Sequence, residues 1–412
     1  MKSLIVLHGP FNCNSGIQVF HLANRLCQRG WDVAVAAPSP TEDVRDVGDP
    51  QFECLTYAEA RRTARRWAGQ DLVIHAWTPR EGVRRLTEEL VRSAGAPYVV
   101  HLEDNEEHLA SVSAKMPFPV LRALPSWAQS LLARDWRIHP TRYSRFLAHA
   151  AGITMVTQKL NEFNVAGRPH AVVRPVVDTD EFAPSPDGRA RRRELGLRPE
   201  DFVLVYHGNS HPANRGDVKT LYLAVRLLRD RGHPVRLIRL GQRDAWSERV
   251  LRPPRAGVIE LGVRPRAEVV TYLGMADAFV QPGASDDFNA YRFPSKIPEF
   301  LAMGRPVVLP ECNVGLELVD GENALLLREG SAQEIAAKVE LLVGDRQLAR
   351  HLGEGAREFA VRRLSPSQGA ATLSEFLARV ISDWRDSAST IALRAEEQSA
   401  AGERAALASR DL

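Results

Sequence analysis

The chain has no stretch approaching the ~20 consecutive apolar residues that a membrane-spanning helix requires. Its apolar start, residues 3–7, is far too short for a signal-peptide core and runs into Gly9-Pro10 rather than a cleavage site, so a soluble or peripheral protein is expected. Cysteine is scarce: Cys13, Cys27, Cys54 and Cys312 show no Cys-x-x-Cys spacing, which suits reduced thiols in a cytoplasmic compartment. Net charge is nearly absent, with 54 basic and 51 acidic residues, which removes the global excess that binds nucleic acid unspecifically. The dinucleotide fingerprint Gly-x-Gly-x-x-Gly is missing after the first apolar run, which counts against a dehydrogenase. None of the twelve histidines forms a His-Glu-x-x-His set, and His207 with His211 has no acid or thiol close by in sequence, so no metal is expected.

What the chain does have is alternation. Short apolar runs at 4–7, 32–37, 72–76 and 98–102 are separated by helical patterns, the first of them at about 16–29, and this implies a parallel sheet covered by helices on both faces. A second series runs through 202–206, a helix near 221–229, 235–240, 258–261, 278–281 and 306–309. Between the two lies a Pro-, Asp- and Arg-rich stretch containing Pro184-Ser185-Pro186, with the composition of an exposed linker. With 412 residues the expected fold class is α/β, two Rossmann-like doubly wound domains facing a central cleft, the place where ligands of such sheets bind. The expected divisions are 1–180, a linker 181–200, 201–365, and a helical segment and tail 366–412.

The segment 116–149 breaks the alternation. Trp127, Trp136, Tyr143 and Phe146 are interleaved there with Arg134, Arg137, Arg142 and Arg145. Two readings stay open: an irregular helical excursion packed on the first domain, or a basic-aromatic surface that meets a lipid-linked or polyanionic acceptor at the membrane. After Arg385 the tail reads as a solvated helix or a frayed end.

Three places carry chemistry. The loop 9–16 brings Ser15 and Gly16 to the start of a helix, where exposed amides attract anions. In the second half, Tyr206-His207-Gly208-Asn209 leaves a strand and is followed by Asn214-Arg215-Gly216, so Arg215 can neutralise a diphosphate while Asn209 offers hydrogen bonds. The densest segment is 292–308. A helix starting near Ser295 would aim its first amides, the Ser295 hydroxyl and Lys296 at one anion, and Glu299 would follow one turn later, placed to take both hydroxyls of a ribose. Ser295 as a plain helix cap is the competing reading.

The run from Arg292 to Val308 resembles the donor-binding helix of retaining GT-B glycosyltransferases, the large fourth sequence family (glycosyl transferases group one). Val177-Asp178-Thr179-Asp180-Glu181-Phe182 and Ile259-Glu260-Leu261-Gly262 are similar to other segments of that family, in the same order. The resemblance implies that Arg215, Ser295 and Lys296 meet the donor diphosphate and that Glu299 holds the nucleotide ribose. It also marks departures: Asn209 stands where the family carries a second phosphate cation, and Tyr291, eight residues before Glu299, stands where it carries an acid. Asp286 or Asp287, in a longer loop, is the expected replacement. Their adjacent spacing differs from the metal-chelating Asp-x-Asp of the other glycosyltransferase fold.

After the strand at 98–102 the family places a His-Asp pair. Here Glu103 and Asp104 fall at those positions, and a small register shift would bring His101 in instead. A helix that simply begins with acidic residues is the plainer reading. The implied function is transfer of a hexose-like sugar from a nucleoside diphosphate donor to a hydroxyl of a glycan, lipid-linked or protein acceptor, with retention and without metal or other cofactor. The expected location is cytoplasmic, with peripheral contact at the inner membrane face through 116–149. Alternatives are a catalytically silent partner or scaffold of the same fold, and a sugar-nucleotide epimerase.

Overall fold

The computed structural model describes residues 1–38, 40–184, 188–210, 214–242 and 257–408. His211 and most of Pro184-Ser185-Pro186 therefore lie outside the described residues. The first sheet has seven parallel strands, β1 (Lys2–Val6), β2 (Asp32–Ala37), β3 (Glu53–Thr56), β4 (Leu72–Trp77), β5 (Tyr98–Leu102), β6 (Gly152–Met155) and β7 (His170–Val172), in the order β3-β2-β1-β4-β5-β6-β7. The second has β8 (Phe202–His207), β9 (Val235–Leu240), β10 (Val258–Gly262), β11 (Ala278–Val280), β12 (Val307–Pro310) and β13 (Leu325–Leu327), in the order β10-β9-β8-β11-β12-β13.

Both sheets are buried on two faces, which explains why their central strands are continuous apolar runs rather than alternating ones. In the first sheet Ile5, Val35, Val73 and Val99 pack with Leu22 and Leu26 of the Asn14–Gln28 helix, while Leu4, Val6, Ile74 and Val100 pack on the other side with Leu86 and Leu90 of the Glu81–Ala94 helix. In the second, Leu204, Leu237, Val280 and Val308 join Leu221, Val225, Ile335 and Val339, and the opposite face takes Phe279, Phe300 and Leu301.

The C-terminal helix, Pro366–Ala408, crosses back to the first sheet. Trp31 Nε1 donates to Ser374 Oγ at 2.9 Å, and Gly152 leaves room for Phe376, whose ring a Cβ there would meet at 2.6 Å. The chain also crosses between domains beside Val176, whose backbone exchanges two hydrogen bonds with the Gln18 amide (2.6 and 3.2 Å), and Val177 N–H donates to the Leu364 carbonyl. Among the described residues no helix is long and apolar enough to cross a membrane.

In each sheet the strand order reverses at a central pair, β1/β4 and β8/β11, and a crevice opens beyond the carboxyl ends of the strands at such a point. The two crevices face one another.

Candidate functional site

A cleft of about 1090 Å³ lies between the two sets of strand ends. On the first-domain wall, β5 ends at Leu102 and delivers Glu103 and Asp104 directly into it. Glu103 is held at both oxygens: Trp77 Nε1 donates to Oε1 at 2.7 Å and Ser15 Oγ to Oε2 at 2.5 Å. Burial raises its pKa, and those two donors with Arg80 work in the opposite direction. Asp104, next in the chain, is pushed up to about 7 by burial and by the neighbouring Glu106 and Glu103, against the pull of Arg80 and Arg292. Asn105 then caps the Glu106–Ala114 helix by accepting from His108 N–H at 2.9 Å, which fixes where the two carboxylates leave the strand.

Arg80, also on the cleft, reaches Glu106 through Nε at 3.0 and 3.3 Å. It follows Thr78, a fully buried residue with φ of 86°, a conformation that costs a non-glycine residue strain and turns the chain out of β4. His8, at the end of β1, is held neutral: burial and Arg80 lower its pKa to about 3.

The second-domain wall is cationic. Arg264, Arg266, Arg292 and Lys296 line it together with Asn209, Ser295 and Glu299. Lys296 reaches the cleft by passing over Gly208, where an added Cβ would stand 2.8 Å from Lys296 Cε and where φ is 153°. Only glycine serves there. The carbonyl of Gly208 is itself pinned by buried Arg239, whose Nη2 donates to it (3.1 Å) and to the Gln242 carbonyl (2.9 Å), while Nη1 pairs with Glu260 at 3.0 Å. Glu299 lies with Oε2 2.6 Å from His207 Nε2 and Oε1 3.4 Å from Arg266 Nη1. Burial would raise its pKa, but those two neighbours outweigh it and hold the carboxyl below the usual range.

Of the residues expected from sequence, Ser15, Glu103, Asp104, Asn209, Ser295, Lys296 and Glu299 line this one cleft. Gly16 backs the loop instead: a Cβ there would stand 2.3 Å from the Phe11 carbonyl oxygen. Arg215 opens the Arg215–Asp230 helix, and Asn214 takes the cleft-lining place beside it.

Two residues expected at the site, His101 and Asp286, do not line the cleft. His101 points into the sheet, 1% exposed, stacked on Trp77 with ring centroids 4.0 Å apart and bonded through Nδ1 to Thr154 Oγ1 at 2.9 Å. Burial holds it neutral, and its side chain does not line the cleft, because it lies within β5, which is buried on both faces. Asp286 is exposed and spends a carboxylate oxygen on Asn289 N–H (2.8 Å), capping the short Asp287–Ala290 helix. The side chain of Asp287 lies outside the described residues. Tyr291 faces away as well: its hydroxyl donates to Glu162 of the first domain, and its ring lies 5.6 Å from that of Phe163.

Sequence reasoning missed His8, Arg80, Arg264 and Arg266, which line the cleft, and Arg239, which supports it. Their signal is position alone, at the ends of β1, β4 and β10 and inside β9. Among the described residues no group of three or more His, Cys, Asp or Glu is arranged to hold a metal ion.

Residues 201–345 match the family described as "Glycosyl transferases group 1". The second domain is a group 1 glycosyltransferase domain. A D-inositol 3-phosphate glycosyltransferase of Nocardia farcinica is 28% identical over 195 residues, 44% of this chain and 41% of that protein, so the chain matches less than half the length of that relative. EpsD of Bacillus subtilis, also named as a glycosyltransferase, is 24% identical over 354 residues, 81% of this chain and 86% of EpsD. Among solved structures, Anabaena HepE in complex with UDP-glucose superposes with a TM-score of 0.67 at 18% identity, covering 92% of this chain and all of that one. Sucrose-phosphate synthase from Thermosynechococcus elongatus gives 0.66 at 14% identity, over 93% and 99% of the two chains. The fold is GT-B. In the group 1 domain the matched region holds every cationic residue named on the second wall, whereas the carboxylates Glu103 and Asp104 lie outside it.

Proposed function

We propose that the chain is a glycosyltransferase that moves a sugar from a nucleoside diphosphate sugar to an acceptor hydroxyl. The observation that carries this reading is the opposition of charge across one cleft: Lys296, Arg264 and Arg292 on the group 1 domain, and Glu103 with Asp104 on the other wall. A diphosphate binds the cationic wall through charge-assisted contacts, and Glu299, kept ionised by His207 and Arg266, takes the ribose hydroxyls. The anomeric carbon then lies toward Glu103 and Asp104. As the bond to the phosphate breaks, positive charge develops on the sugar and negative charge on the departing diphosphate, and each meets a wall of opposite sign.

Retention follows if the acceptor attacks from the side the phosphate leaves, passing its proton to a phosphate oxygen. Cationic side chains take the part of a metal ion. The acceptor is a glycan, a lipid-linked carrier or a protein, met at the cytoplasmic face. A UDP-sugar is the first donor to test, as the Anabaena neighbour holds one.

A catalytically silent GT-B partner is the second reading, favoured by Asn209 and Tyr291 where the family carries charge. One experiment separates the two. Nucleotide sugars are screened by thermal shift, since a ligand that binds only the folded state raises the melting temperature, and the best of them is followed for slow hydrolysis without acceptor. Binding with slow release of sugar, both weakened in Lys296→Ala, is the expected result. Binding without turnover under any acceptor makes the protein a silent partner, and no binding at all removes the donor site.

A further inference from the structure

We propose that the exposed face carried by residues 112–137 docks on a lipid bilayer with anionic headgroups. Trp127 and Leu131, one helical turn apart on the Ser126–Leu132 helix and therefore on one side of it, are 73% and 75% exposed. Trp136 is 50% exposed in the turn that follows, Val120 sits 47% exposed on the Phe118–Ala123 helix, and Val112 is 48% exposed before it. Single apolar residues on a surface need no explanation, but two indoles and a leucine exposed within ten residues do. Along the chain the charge beside them is mainly of one sign. Between 115 and 145 the chain carries six Lys or Arg residues and one acid, Asp135, which is already paired with Arg85. Arg137 lies 4.1 Å from the Trp136 ring, so the indole keeps a cation at its face.

Tryptophans at the level of the headgroups with a surround of Lys and Arg are complementary to an anionic interface, and a protein partner of that apolar character would not require the excess of cations. The location gives the face a use. The helix that carries Val112, Glu106–Ala114, follows Asp104 and Asn105 and its Leu109 lines the cleft, so a docked bilayer lies beside the cleft and presents membrane-bound hydroxyls to it. The inference does not depend on the donor reading.

The test is flotation of the full chain with vesicles of phosphatidylcholine alone and of phosphatidylcholine with phosphatidylglycerol, at low and at high salt. Binding to the anionic vesicles only, weakened by salt, is the expected result. Arg122→Gln with Arg134→Gln should cost about fivefold in partitioning for each cation removed. Trp127→Ser with Leu131→Gln should lose at least about tenfold. Both variants keep the melting temperature and the thermal shift given by nucleoside diphosphate, which separates this proposal from the donor site. Equal binding to both vesicle types, no binding to either, or a Trp127- and Leu131-dependent dimer with no vesicle binding each overturns it.

Discussion

Asp104 should control the acidic limb of the turnover profile. Its carboxyl, pushed up to about 7 by burial and by Glu106 and Glu103, is neutral in about nine molecules of ten one pH unit lower. If the ionised form stabilises positive charge on the sugar, turnover falls about tenfold for each pH unit below that point. The neighbours supply directional tests. Arg80 and Arg292 pull the value down, so Arg80→Met should move the limb to higher pH, while Glu106→Gln removes a like charge and should move it lower. Stability gives a second readout of opposite sense. A carboxyl whose folded pKa lies above its unfolded value contributes most below the unfolded pKa, and that contribution is lost as pH rises through the folded one. Asp104→Asn should therefore stabilise the protein, and its advantage should grow between pH 5 and pH 8 by about 2 to 3 kcal/mol at most. Turnover is followed with saturating donor from pH 5 to pH 9, and thermal unfolding over the same range. A limb that stays in place in both Arg80→Met and Glu106→Gln, or an Asp104→Asn variant whose stability gain is independent of pH, would refute this reasoning.

Gly208→Ala should weaken nucleoside diphosphate binding by displacing Lys296, with a loss approaching the ~1.5 to 3 kcal/mol of one charge-assisted contact, read by calorimetric titration. Glu299→Gln should chiefly raise the KM for donor, whereas Asp104→Asn should chiefly lower kcat, and a variant pair with identical kinetic signatures would merge the two roles. The reaction should run in the presence of a chelator, and loss of activity restored by a divalent ion would show that the diphosphate charge is managed by a metal instead.

Legibility in the sequence followed the strength of local pattern. The strands at 32–37, 98–102 and 235–240 were readable to the residue because each is a short, mostly apolar segment set off by helical or turn-rich stretches. β3, β6 and β13 were not, being three or four residues long, and β6 reads Gly-Ile-Thr-Met, which has no apolar run to notice. At the site, Lys296 and Glu299 could be read because one helix start brings them together. Arg80 and Arg266 could not, since what brings them to one cleft is that two strand ends far apart in sequence meet across it. His101 lies within β5, which is buried on both faces, whereas Glu103 and Asp104 reach the cleft because they follow the end of the strand.

The missing acid at position 291 has a physical explanation in the same contacts. Tyr291 donates to Glu162 across the domain boundary, with Lys159 5.3 Å from its ring. A carboxylate at 291 in this orientation would stand against Glu162 and be repelled, whereas a phenol supplies a neutral donor. Tyr291 therefore suits a bridge between the domains and not contact with a sugar. The proposed reaction assigns the negative charge facing the sugar to the opposite wall, where Trp77 and Ser15 already hold Glu103 at both oxygens and the turn after β5 sets Asp104 beside it. In the proposed reaction Lys296, Arg264 and Arg292 are assigned to the leaving diphosphate and Glu103 with Asp104 to the sugar, although Glu299 and Arg80 put a charge of the other sign on each wall. That assignment ties turnover to domain approach, because the groups given to the two developing charges stand on different domains.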